Sequence, residues 1–92
     1  MKKKFRVEVS QTIEVELDGS KFNEAFLAEF RESFYPFMTM QDHAEHIAQL
    51  QARGVIDCER TPDFIEGYGP SNEMGIKAAV VETEINLIGG AA

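Results

Sequence analysis

Nowhere in these 92 residues does an apolar run approach the ~18–20 residues that cross a bilayer. No signal-peptide h-region follows the basic start. Tryptophan is absent and Cys58 is the single cysteine, so no internal disulfide forms and a reducing cytosol is the expected compartment. Cations are scarce as well: nine Lys and Arg stand against sixteen Asp and Glu, a formal net charge of −7. That balance argues against a general nucleic-acid binder, whose affinity rests on neutralising phosphates. A chain this short buries only roughly 60–65% of its unfolded surface, which leaves little room for a deep cleft beside a core. One domain is expected over residues 1–92, with a frayed tail at about 89–92 where Gly89-Gly90-Ala91-Ala92 offers nothing to pack.

The first segment carries the clearest pattern. Phe5, Val7, Val9, Gln11, Ile13, Val15 and Leu17 alternate with Arg6, Glu8, Ser10, Thr12, Glu14 and Glu16. Strict period-2 alternation predicts a strand over about 4–17 with one buried and one wet face. Gln11 is the one polar residue in the apolar row, which a bend or an edge position explains. Asp18-Gly19 closes the strand as a turn. Ser20 is placed to N-cap the next segment, in which Phe22, Phe26, Phe30 and Phe34 recur every four residues as a helical stripe facing the core. Pro36 disfavours helical geometry at Tyr35, so the helix stops near Phe34.

Thr39 and Asp42 form a capping box for a second helix over about 40–53, with Gly54 at its C-terminal exit. Ala44, Ile47, Ala48 and Gln51 share a face, and the small alanines let its backbone approach the first helix. Beyond Gly54 the pattern loosens to a short extended piece at Val55-Ile56, a loop over 59–63 and a short strand over 64–68. Gly69-Pro70-Ser71-Asn72 is turn chemistry. From Ile76 to Ile88 the chain is β-branched and apolar in two phases, which predicts a last strand with a bulge near Ala79–Val81. The expected architecture is α+β: an antiparallel sheet of three or four strands in the order β-α-α-β-β, with both helices on one face. Pairing of the first and last strands places Glu8, Glu14, Glu16, Glu82 and Glu84 on the uncovered face.

Few residues suggest catalysis. His43 and His46 lie three apart on a helix, so their rings can converge on one ion, with Asp57, Cys58 and Glu59 as the nearest further ligands. The zincin pattern, two histidines four apart with a Glu after the first, is missing. Exposed or partly packed histidines on a capped helix are the expectation, with no metal and no cofactor. Cys58 sits between Asp57 and Glu59, and neighbouring carboxylates raise a thiol pKa, which works against a nucleophile. Glu66-Gly67-Tyr68-Gly69-Pro70 lacks the lysine and the strand–glycine–helix context of a phosphate loop. Tyr68 either packs on the domain rim or meets a partner, and it is retained among the partner-binding candidates.

Charge is distributed unevenly. Lys2, Lys3, Lys4 and Arg6 open the chain, after which Lys21, Arg31, Arg53, Arg60 and Lys77, five cations, face all sixteen acids, leaving residues 7–92 at −11. An acidic body is attracted to a basic groove on another protein. An acidic sheet face has two readings: glutamate keeps an open sheet wet, or carboxylates at sheet spacing occupy a partner's cationic groove and exclude its nucleic acid.

The segments FRVEVSQTIEVEL, FLAEFRESFYPF, DHAEHIAQLQARGV and FIEGYGP resemble small acidic proteins encoded by bacteriophages and mobile elements, over about residues 3–87. In size and charge the chain is similar to anti-CRISPR proteins, inhibitors of a type I surveillance complex. That class has no shared motif, so the resemblance gives no residue a role. It implies a non-enzymatic inhibitor in the host cytoplasm that binds a host protein or protein–RNA complex without cofactor and blocks its target DNA. The expected contacts are Glu8, Glu14, Glu16, Glu82 and Glu84, with Tyr68, and Lys3 and Lys4 placed for a guide-RNA phosphate. No free nucleic acid, membrane or small-molecule substrate is implied. The alternatives are a structural or accessory phage protein that self-associates through an apolar edge, and a histidine-based metal protein.

Overall fold

A computed structural model describes residues 1–91, with side chains described through Gly89. Its elements are β1 (Lys4–Glu16), α1 (Glu24–Ser33), α2 (Met40–Ala52), β2 (Phe64–Ile65), β3 (Gly69–Pro70), a single-turn α3 (Ser71–Met74) and β4 (Lys77–Ala91). The α+β class and the antiparallel β1–β4 pairing match expectation. The sheet does not: β1 and β4 form a two-stranded ribbon, and β2 and β3 form a separate two-residue ladder. Gly67 and Gly69, both at positive φ, turn the chain back so tightly that Phe64–Pro70 pairs only with itself. The β1–β4 ladder runs on through Gly89–Ala91, which stand opposite Lys4–Arg6, and Ala92 lies outside the described residues.

The register explains how two strands with different patterns fit. Ile13 opposes Val80 and Thr12 opposes Glu82, so Val81 is the extra residue of a bulge, at one end of the predicted 79–81 window. A second shift between Arg6 and Val7 leaves Ile88 unopposed. Between the shifts the two apolar rows share a face: Val7 with Leu87, Val9 with Ile85, Gln11 with Thr83. Each bulge absorbs one residue and so restores the phase that the sequence breaks.

Helix limits follow local chemistry. The Asn23 side chain caps α1 by accepting from the Phe26 N–H, so Ser20 is not the cap. Its N–H and hydroxyl instead donate to Asp18 in the turn after β1, which holds the Asp18 carboxyl below the usual range. Asp18 sits between strand and helix, where a carboxylate reaches backbone two residues on. The Thr39–Asp42 capping box of α2 is present in full.

The core lies under the foot of the ribbon. Phe22, Phe30, Ile47, Ile56, Ile65, Tyr68, Ile76 and Ala78 are buried, with Ile13, Val15 and Leu17 packed against them. The helices meet through aromatic rings and not by close backbone approach: Phe22, Phe26 and Phe30 all lie against the His43 ring of α2, at centroid distances of 5.6, 5.9 and 4.7 Å. Such rings are too large to let the alanines of α2 draw the backbones together. Phe34 departs from the stripe and is largely exposed, because the helix ends there and the chain turns away.

That body is short and the ribbon is long. A strand of 13 residues spans about 43 Å, and the core reaches only as far as Ile13. The molecule measures 57 × 27 × 19 Å with a radius of gyration of 16.8 Å, against about 12 Å for a compact chain of this length. The distal ribbon, residues 5–12 with 81–88, projects from the body exposed on both faces.

Candidate functional site

The even positions of β1 and their partners build one face of the ribbon. Glu8 opposes Asn86, Glu14 opposes Ala79, Glu16 opposes Lys77, while Glu82 opposes Thr12 and Glu84 opposes Ser10. All five predicted carboxylates therefore share one face, and all five are exposed. None stands directly across from another. The closest are two positions apart on one strand, Glu14 with Glu16 and Glu82 with Glu84, about 7 Å apart; across the ladder they stand only diagonally, about 7–8 Å apart, which avoids the repulsion of like charges directly opposite. Lys4 and Arg6 mark the distal end of this face and Lys77 the proximal end, so its acidity is concentrated in the middle. Lys3 and Lys4 are exposed at the tip.

At the foot of this face Glu14 and Glu16 line a groove with Cys58, Arg60, Ser71 and Lys77. Burial pushes the Cys58 thiol up, and Asp63 and Asp57 add to the effect against a hydrogen bond with Ser71. A protonated thiol is a poor nucleophile. The groove thus presents carboxylates, the Arg60 guanidinium and the Lys77 amine beside the Cys58 thiol.

Tyr68, expected on the domain rim or at a partner contact, lies inside the core. It is buried, and its hydroxyl lies 2.7 Å from His43 Nδ1, so it is part of the core and not of a contact surface. A buried phenol needs a hydrogen-bond partner, and His43 supplies it. Burial raises the Tyr68 pKa strongly, which keeps its proton in place to donate to Nδ1. In that tautomer His43 Nε2 carries the other proton, and it has no hydrogen-bond partner. Phe30 and Phe37 stand edge-to-face with the ring, at interplanar angles of 77° and 89°.

His43 is also fully buried, contrary to the expected exposed or partly packed histidine. Its partner in the proposed pair, His46, is half-buried against Tyr35 and Phe37. Among the described residues no group of three His, Cys, Asp or Glu side chains is disposed to hold a metal ion. With Nδ1 occupied by Tyr68 and Nε2 enclosed by rings, His43 acts as a packing residue. No helix among the described residues is long and apolar enough to cross a membrane.

Burial pushes His43 below the ordinary histidine range, His46 and Arg31 push it the same way, and Asp42 opposes them; burial lowers His46 too. The unfolded chain then binds more protons than the folded one once the pH drops below the unperturbed value of 6.5. Stability is expected to be fully present above that pH and to fall as the pH is lowered from 7 to 5.5, read as a decreasing melting temperature. A melting temperature that stays level or rises across this window contradicts a neutral, buried His43.

Two surfaces differ from expectation. The apolar row of β1, expected to be buried along its length, is open in the distal ribbon, where Phe5, Val7, Val9, Ile85 and Leu87 are between 50% and 69% exposed because the helical body ends at Ile13. The other is an apolar groove on the body lined by Phe34, Tyr35, Leu50, Val55 and Phe64. No protein-family model matches the chain, and no curated protein or solved structure matches it either.

Proposed function

We propose that this chain is a non-enzymatic binding protein that docks the acidic face of its ribbon on a cationic surface of a host nucleoprotein complex and excludes nucleic acid from it. The observation that carries this reading is the alignment of Glu8, Glu14, Glu16, Glu82 and Glu84 on one exposed face of a projecting element. A projection reaches into a groove, whereas the same charges on a flat body do not. Charge of one sign concentrated on a rigid element steers association with an oppositely charged surface. The resemblance to anti-CRISPR proteins makes a type I surveillance complex the proposed partner, with target DNA as the excluded ligand and Lys3 and Lys4 beside guide-RNA phosphates. Stoichiometric occupation requires no cofactor and no turnover.

Affinity capture with the tagged protein from cells carrying a type I system is expected to recover the surveillance subunits at fixed stoichiometry. The recovery should weaken as salt rises, because exposed charges are screened over about 8 Å at physiological ionic strength. Recovery of the bait alone overturns the assignment.

A further inference from the structure

We propose that two copies of this chain pair antiparallel through the free edge of β1, about a two-fold axis at Ser10, to form a four-stranded sheet β4-β1-β1-β4. The first argument is the mismatch between pattern and cover. Strand β1 alternates along its whole length as though one face were buried, yet its own helical layer covers only Ile13, Val15 and Leu17. Phe5, Val7 and Val9, with Ile85 and Leu87 beside them, continue the same face into solvent. The second is the open edge. Among the described residues, the backbone hydrogen bonds made outside helices and ladders involve none of residues 4–16. An unpaired edge of this length is a template for another strand.

The third argument selects the occupant. On the polar face β1 reads Lys4, Arg6, Glu8, Ser10, Thr12, Glu14, Glu16. Cations stand at one end and acids at the other. Antiparallel pairing of two such strands about Ser10 sets Lys4 against the partner's Glu16 and Arg6 against the partner's Glu14, each twice by symmetry, with Glu8 against the partner's Thr12. On the other face Phe5 meets the partner's Val15 and Val7 the partner's Ile13. The exposed apolar row of one copy thus comes alongside the row that α2 covers in the other.

Neighbouring registers do worse. A shift of two residues in one direction loses the Arg6 pair, and in the other it sets Glu8 against the partner's Glu14. A one-residue shift puts apolar against polar positions. Parallel pairing stacks like charges. Between its ends β4 offers no alternative, since over residues 78–89 its charged groups are Glu82 and Glu84 alone.

The dimer also draws the acids together. With the ends neutralised, Glu8, Glu82 and Glu84 of both copies surround the axis on the face away from the helices. The pairing stands on the edge and its charges: it takes Lys4, Glu14 and Glu16 into cross-copy pairs and leaves Glu8, Glu82 and Glu84 of each copy as the acidic face open to a nucleoprotein.

Purified protein is expected to sediment at twice the chain mass at micromolar concentration. Arg6→Glu alone and Glu14→Arg alone should each weaken the dimer at least tenfold, since each sets two like-charged pairs across the interface. The double variant R6E/E14R should restore it. Within one chain these residues are about 26 Å apart along the strand, so rescue reports contact between copies. In a Cys58→Ser background, Ser10→Cys should form an intermolecular disulfide under mild oxidation, because directly opposed strand residues lie about 4.5–5.5 Å apart. Glu8→Cys should not, its twin being about 13 Å away along the strands. A monomer at all concentrations, a dimer without charge-swap rescue, or equal cross-linking at both cysteines overturns the proposal. None of these outcomes bears on capture of the surveillance complex.

Discussion

Phe30→Ala is expected to destabilise the protein by about 3–5 kcal/mol, the range for removing a fully buried aromatic ring. Phe30 is 2% exposed and lies against Phe26, Phe37, His43 and Tyr68, so it joins both helices to the loop that follows them. Gly67 reflects the same close fit: at φ +90°, a Cβ there would sit 2.7 Å from the Phe30 ring. Small domains hold about 5–15 kcal/mol in total, and a body this small stands near the lower end. A large unfolded fraction is therefore expected in mild urea, with the midpoint falling steeply. Phe30→Leu should lose less, since it refills part of the cavity. An unchanged midpoint in Phe30→Ala would show that the aromatic cluster is not the core.

The second large effect concerns the ribbon. Glu82→Lys with Glu84→Lys is expected to weaken capture of the surveillance complex at least tenfold while leaving the melting temperature nearly unchanged. Both residues are exposed and stand across from Thr12 and Ser10, so no native pair is broken. Exposed substitutions of this kind usually move stability by within about 0.5 kcal/mol. Reversing two charges opposite a cationic surface, by contrast, replaces attraction with repulsion in the bound state. Because neither residue forms a cross-copy pair about Ser10, the variant should keep the dimer. Full capture by this folded double variant would remove the acidic face from the account.

Much of this arrangement was legible in the sequence. Period-2 alternation located β1 to within a residue at each end, and the two apolar phases between Ala78 and Leu87 announced the Val81 bulge. The Thr39–Asp42 box gave the start of α2 because capping is local chemistry. The five glutamates fell on one face for the same local reason, once β1 and β4 were paired.

Other features depend on long-range geometry that no window of sequence contains. His43 and Tyr68 are 25 positions apart, and nothing near either residue announces their hydrogen bond. A buried tyrosine and an interfacial tyrosine have the same neighbours in sequence. The segment around Phe64–Pro70 has a β pattern too short to say which strand it joins, and the positive-φ glycines decided for a local ladder. The alternation of β1 predicts a buried face along the whole strand, and here it misleads: the body covers only Ile13, Val15 and Leu17, and Phe5, Val7 and Val9 stay in solvent, because a local pattern does not say how far the rest of the chain reaches.

The most direct test of the central claim is competition. A type I surveillance complex is mixed with labelled target DNA and increasing amounts of the protein, alongside E82K/E84K at the same concentrations. The account predicts that the wild-type chain abolishes DNA binding near stoichiometric addition while the variant leaves it intact. Undiminished DNA binding in the presence of excess wild-type protein, across the type I complexes tried, would contradict it.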